Sequence, residues 1–205
     1  MDWFTILMRC GVASAVAQRW APVFAAEAGP EKFSLGHEEL DDFLGQVLHE
    51  SAMLTRLEEG LNYSAGRLME VWPLRFPTAE KAMQCARNPR ALANYVYGGR
   101  LGNTSPDDGW LYRGGGLIQV TGRANYRKLG EAMGLDLEAN PDMLRNNLDI
   151  ALRSAVVWWE GNVPDGVMGD MPRVRRAVNG GTVGLEDTKR LTARADAAID
   201  GTRSA

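Results

Sequence analysis

The sequence predicts a mainly α fold with at most one small β element. Three observations carry that reading. Apolar residues recur at helical spacing through most of the chain, and Ser, Thr, Asp or Asn repeatedly stands where a helix should start, with Gly or Pro where it should stop. Only Leu117-Ile118-Gln119-Val120-Thr121 reads as a short strand. The chain has 205 residues, 45% hydrophobic and 24% charged, an ordinary globular composition long enough for one good core. A single compact domain over residues 1–205 is expected.

In order, Asp2 caps a helix carrying Phe4, Leu7, Met8, Val12 and Val16 on one face, which Pro22 ends or restarts. Ala28-Gly29-Pro30 is a linker, and a helix then runs from about Glu38 to Met53 with Asp41 and Asp42 on its wet side. Ser64 caps a short helix with Leu68, Val71 and Trp72, ended by Pro73 and Pro77; Thr78 caps the next piece. Asn88-Pro89 reads as cap plus first helical residue of a helix closed by Gly98-Gly99. Seven glycines between Gly98 and Gly116, with Pro106 and Asp107-Asp108, predict a surface loop. Helical character resumes from Gly122 to Met133, and Pro141 opens another helical region. Leu148, Leu152, Ala155, Val156 and Trp159 then form the strongest late stripe, with its tryptophans in the core. Val174 and Val178 lead into the turn Asn179-Gly180-Gly181, after which Leu185 to Ile199 closes the chain as an amphipathic helix.

A net charge of −3 argues against a nucleic-acid partner, although residues 171–205 carry +3 against −6 for residues 1–170. Two cysteines, Cys10 and Cys85, give neither a disulfide framework nor zinc-ligand spacing, and the position four after His49 is Met53, so no HExxH metal site is expected. Asp2, Arg9 and Arg19 interrupt the first apolar stretch, so no membrane span is expected, and without a basic n-region an amphipathic first helix is preferred to a secretory signal.

The chemistry concentrates in Phe43 to Ser64. Phe43, Leu44, Val47 and Leu48 share a helix face, and Glu50 follows Phe43 by seven residues, within about 20° of the same direction. A carboxyl on an apolar face loses hydration of its charged form, which suits a general acid. Glu58 and Glu59 are candidates for a second carboxylate, since glycosidic hydrolysis takes one acid and one base or nucleophile. Composition does not choose between them. On one straight helix Glu59 would lie about 13 Å along the axis from Glu50 and half a revolution round it, so the pair requires a helix break before Glu59. The stop signals Gly60 and Asn62 fall just after it and leave the break open. Further on, Gly114-Gly115-Gly116 lets backbone approach a ligand closely, and Gln119, Thr121 and Asn125 offer neutral hydrogen-bonding groups suited to sugar hydroxyls or a held water.

His49-Glu50-Ser51, Glu59-Gly60-Leu61-Asn62-Tyr63-Ser64, the run YRGGGLIQVTGRANY from Tyr112 to Tyr126 and Asn179-Gly180-Gly181, in that order, resemble glycoside hydrolase family 19, and most of all its bacteriophage and prophage endolysins. The resemblance covers about residues 38 to 199, leaving residues 1–36 as an N-terminal helical segment. It implies a lysozyme-like, two-lobed, mainly α fold with its small β element near residues 110–121. The implied activity is inverting cleavage of β-1,4 bonds between N-acetylated sugars without cofactor or metal. Glu50 would be the acid, and Glu59 the base, holding a water together with Thr121. Gln119, Asn125 and Asn179 would line the substrate sites, with His49, Tyr63 and Arg113 of the motifs beside them. Two departures stand out: Ala52-Met53 replace two glycines common after the HES triplet, implying a stiffer turn, and Gly60 replaces an asparagine. Arg190 and Arg194 are both candidates for the family's late arginine.

The expected partner is bacterial cell-wall glycan, peptidoglycan, cut by a monomer. Such an enzyme would be made in the host cytoplasm and reach the wall after release through a separate membrane-permeabilising protein. The alternatives are a chitinase of the same family, a lytic transglycosylase needing one acid and no activated water, and a catalytically silent glycan-binding module.

Overall fold

Short polar side chains start the helices. A computed structural model describes residues 1–203, which form α1 (Trp3–Cys10), α2 (Ser14–Glu27), α3 (Leu40–Glu50), α4 (Ala65–Val71), α5 (Ala79–Met83), α6 (Pro89–Tyr97), α7 (Asp108–Leu111), α8 (Arg123–Met133), α9 (Met143–Asn146), α10 (Leu148–Asn162), α11 (Met171–Asn179) and α12 (Leu185–Arg203). Asp2, Ser64, Thr78 and Asn88 each accept a hydrogen bond from the backbone N–H three residues on, at 3.1, 3.2, 3.3 and 3.1 Å, which satisfies an orphan donor of the first turn. Asn147 and Asp170 do the same for α10 and α11.

Several expectations are corrected. The first helix does not run on to Val16; it stops at Gly11, left-handed at φ 98°. Its buried face is Trp3, Ile6, Leu7 and Cys10, which leaves Phe4 and Met8 about two-fifths exposed. Pro22 lies inside α2, where the loss of one ladder bond is offset by burial of Ala17, Trp20, Val23 and Phe24. Only the first half of the 98–116 segment is a surface loop, with residues 98–102 and 104–106 exposed. The segment also contains α7, and Asn103, Asp108, Tyr112 and Arg113 within it are buried. Burial is tolerated because polar side chains satisfy its backbone: Asp108 accepts from the Thr104 and Ser105 amides, and Asn103 donates to the Tyr97 carbonyl. Leu117 to Thr121 forms no strand; the β element reduces to the isolated bridges Glu58–Gly115 and Gly115–Val120, and Gln119 at φ 56° breaks the extended path.

The described residues divide into two compact units. Met1–Leu57, Gly116–Ile118 and the chain from Met143 onward make the first; Glu58–Gly115 and Gln119–Asp142 make the second. In the first unit α3 is the central helix, with Leu40, Phe43, Leu44, Val47 and Leu48 at most 1% exposed. Each such burial contributes about 1.5–3 kcal/mol. Phe43 meets the edge of Trp159 at 5.5 Å, while Trp158 is only half-buried. Helix α12 lies so close to α3 that a Cβ on Gly45 would sit 2.1 Å from the Thr192 Oγ1, which makes glycine necessary there. In the second unit Leu61, Leu68, Phe76, Leu92 and Val96 form a core. Tyr63, Trp72, Phe76 and Tyr95 run beside it in ring contact at 5.3, 6.4 and 5.0 Å.

Asp42 is a further correction: it is 2% exposed rather than on a wet side, and its carboxyl accepts from the Gly169 amide at 2.8 Å. Burial, reinforced by Asp41 and Glu39 nearby, pushes its pKa up to about 6. The native state therefore binds this proton more tightly than the unfolded chain. The stability it contributes is complete below about pH 4 and is lost as pH rises through about 6. Asp42→Asn, which keeps an acceptor for Gly169, is expected to stabilise the protein by about 2 kcal/mol at pH 7 and by little at pH 4. Denaturant midpoints at the two pH values check this; an equal gain at both would sink it.

Candidate active site

Glu50 is the last residue of α3, and the helix ends there without a glycine. Ser51, fully buried, donates to the Val47 carbonyl at 2.6 Å and accepts from the Leu54 amide at 2.9 Å. Ala52, Met53 and Leu54 then take left-handed conformations, φ 48°, 60° and 64°. Non-glycine residues there cost on the order of 1–3 kcal/mol each. The break needed before Glu59 is thus real, and it comes from three residues with no turn signal of their own.

The Glu50 carboxylate accepts from the Arg175 Nη1 at 2.5 Å. Arg175, 2% exposed, also donates to the Gln46 Oε1 at 3.0 Å and, through Nε, to the Val183 carbonyl at 2.7 Å. Neither candidate late arginine holds this place: Arg190 pairs with Asp187, and Arg194 reaches the Cys10 carbonyl at 3.4 Å. Glu50 therefore meets a guanidinium as well as the stripe it continues. His49 is bonded through Nδ1 to Asp187 at 2.7 Å, and this bond, with Arg190, lowers the Asp187 pKa. Asn179, exposed, accepts from the Gly181 amide at 2.9 Å and donates to the Val183 carbonyl at 3.3 Å.

In the second unit the two adjacent acids have different partners. Glu58 pairs with Arg113 at 2.5 Å. That guanidinium lies 3.8 Å over the Trp110 ring and donates to the Trp110 carbonyl, which leaves Arg113 8% exposed. Among the described residues Glu59 has neutral donors alone: the Gly114 amide on Oε1 at 2.6 Å and the Tyr97 hydroxyl on Oε2 at 2.7 Å. A Cβ on Gly114 would lie 3.1 Å from the Glu59 Cβ and 3.0 Å from the Gln119 Oε1, so the first glycine of the triplet admits this approach. Burial and the neighbouring Glu59 charge raise the Tyr97 pKa well above the ordinary phenol range, which keeps it a donor.

Thr121 donates through Oγ1 to the Gln119 carbonyl at 3.0 Å, and Asn125 donates to the Thr121 carbonyl at 2.8 Å. Tyr63 lies against Trp72. Arg175 and Tyr97, which hold the two acids, are residues that the sequence did not single out. Neither carries a local signal, because a buried arginine and a carboxylate-bound tyrosine are recognised only by their partners.

The family model described as Chitinase class I matches residues 15–166. A glycosyl hydrolase family 19 domain-containing protein of Haemophilus influenzae is 37% identical over 151 residues, 73% of this chain and 74% of that protein. Chitinase 8 of Oryza sativa is 41% identical over 56 residues, 26% of this chain and 22% of its own length. Among solved structures, chitinase C from Streptomyces griseus has the same fold, with a TM-score of 0.61 over 97% of this chain and 94% of that one at 14% identity.

Proposed function

This chain belongs to glycoside hydrolase family 19, and from that premise we propose that it cleaves β-1,4 bonds between N-acetylated sugars of bacterial peptidoglycan, as endolysins do. Glu50 is the general acid and Glu59 the general base, in an inverting, cofactor-free reaction. The observation that carries the assignment is the unequal setting of the neighbouring acids: Glu58 is tied to Arg113, while Glu59 is oriented by two neutral donors. Thr121 complements it. Its hydroxyl proton is directed at the Gln119 carbonyl, so its lone pairs are left to accept from a water whose other proton points to Glu59. Loss of a proton to Glu59 lets the water oxygen attack the anomeric carbon while Glu50 protonates the leaving oxygen. Gln119, Asn125, Asn179, His49 and Tyr63 supply hydrogen bonds and ring surface to the glycan.

Support for a wall substrate comes from the motifs His49-Glu50-Ser51, Glu59 to Ser64 and Tyr112 to Tyr126, which resemble those of the family's endolysins. No helix among the described residues is long and apolar enough to cross a membrane. In this reading the enzyme works as a monomer and reaches the wall after release through a separate membrane-permeabilising protein. A chitinase activity is the second reading, favoured by the fold shared with the Streptomyces enzyme. Incubation with purified bacterial walls and with chitin oligomers, scored by new reducing ends and their anomeric form, separates the two. Turnover of chitin alone would overturn the first.

Tyr97→Phe removes one of the two donors on Glu59. A hydrogen bond to a charged group contributes about 1.5–3 kcal/mol, so kcat is expected to fall about 10- to 100-fold. KM should stay within about two-fold, since Tyr97 orients the base rather than the sugar. A wild-type kcat in this variant would show that the Gly114 amide alone suffices.

A further inference from the structure

We infer that Trp20 is a positioning residue for Glu50, acting through the left-handed turn that follows it; the inference rests on the glycan-hydrolase reading of Glu50. Ala52, Met53 and Leu54 persist at φ 48°, 60° and 64° only if their surroundings over-determine them. Most of the restraints are local. The Met53 amide donates to the Leu48 carbonyl at 2.7 Å, the Thr55 and Arg56 amides donate to the Ser51 carbonyl at 3.1 and 2.9 Å, and Ser51 ties the Val47 carbonyl to the Leu54 amide. These bonds hold the turn to the end of α3 but not to the rest of the fold.

The long-range hydrogen bond among the described residues of the turn comes from the Trp20 indole, which donates through Nε1 to the Leu54 carbonyl at 3.1 Å. Trp20 is 1% exposed and Leu54 3%, so neither group has water as an alternative partner. The indole is fixed in turn by Phe24, at 6.2 Å between rings, and Phe24 by Trp3 at 4.9 Å. Beside it, a Cβ on Gly11 would lie 3.8 Å from the Met53 methyl, which places the end of α1 against the same turn. Helices α1 and α2 thus clamp the turn that begins two residues after Glu50. Without the indole donor, the turn is free to relax towards right-handed conformations. The last turn of α3 then frays, and the Glu50 carboxylate loses its fixed place on Arg175.

The test is a cycle of Trp20→Phe, which keeps a ring and deletes the N–H, with the pair Ala52→Gly and Met53→Gly, which removes most of the left-handed cost. Trp20→Phe is expected to lower kcat about ten-fold on the wild type's substrate with KM within two-fold. The glycine pair alone trades the left-handed cost against the packing of the Met53 side chain, so its melting temperature should stay within a few degrees of the wild type's and its kcat should be unchanged. Combined with Trp20→Phe, it should restore kcat to within two-fold and shrink the melting loss that Trp20→Phe causes. An unchanged kcat in Trp20→Phe, or no rescue by the glycines, overturns the inference. Wild-type protein inactive on both walls and chitin would count against the glycan reading instead. The melting cycle would still decide whether Trp20 and the turn are coupled, and additive melting shifts would overturn the coupling.

Discussion

Glu59→Gln is expected to bind cell walls like the wild type and to hydrolyse them about 1,000-fold more slowly, within the range that general-base catalysis supplies. The amide is isosteric, and its oxygen can still accept from the Gly114 amide that holds Glu59 at 2.6 Å. What it lacks is the ability to take a proton from water. Glu50→Gln should be equally inactive, because an amide cannot protonate the leaving oxygen. Measured together, the two variants separate mechanisms. If Glu59→Gln turns over near the wild-type rate while Glu50→Gln is dead, one acid is enough, and the enzyme is a lytic transglycosylase rather than a hydrolase. If the wild type itself binds walls and turns over nothing between pH 4 and 8, the chain is a glycan-binding module.

Loss of Arg175 is expected to be the most damaging single change outside the two acids. Arg175→Met leaves the Gln46 Oε1 without its donor at a site where the arginine is 2% exposed, and leaves the Val183 carbonyl only the longer bond from Asn179. It also strips the Glu50 carboxylate of its cation. Removing one partner of a fully buried pair costs about 3–5 kcal/mol; Glu50 retains 24% exposure, so the lower end applies. For a chain of this size about 3 kcal/mol lowers the melting temperature by about 6–12 °C. Activity should fall at least about 100-fold even well below that temperature, since the acid is no longer held. Arg175→Lys is the sharper probe. It keeps the charge, but a single ammonium cannot reach three acceptors spread around a planar fork, so much of the stability should return while kcat stays more than ten-fold down. A lysine variant with wild-type turnover would mean that charge alone matters.

Much of the fold was legible, for reasons that can be named residue by residue. Asp2, Ser64, Thr78 and Asn88 cap the helices they were expected to cap, because a cap is a contact across three residues. Gly134 and Gly180 end α8 and α11 in left-handed conformations that a glycine adopts without strain. The misreadings occurred where packing overrode local preference. Pro22 stayed within α2 because Trp20 and Phe24 are buried on either side of it, and Asp42 went inside because Gly169, 127 residues away, supplies its donor. The glycine-rich 98–116 segment is exposed over 98–102 and 104–106 but turns inward at α7, where Asn103 and Asp108 satisfy its backbone.

By itself, the sequence determined the helical class, the caps, the candidate acids Glu50, Glu58 and Glu59, and the motifs that mark family 19. Only the tertiary structure decided that α3 ends at Glu50 in a left-handed turn, that Glu58 pairs with Arg113 while Glu59 faces Gly114 and Tyr97, and that Arg175 holds Glu50. The division follows the range of the forces. Caps, stops and periodicity depend on atoms within a few residues, whereas Glu50 and Arg175 lie 125 residues apart, and Glu59 and Gly114 are separated by 55. Contacts at that separation form only when the core of each unit brings its own helices and loops into register, and no local pattern encodes which polar group will be waiting there.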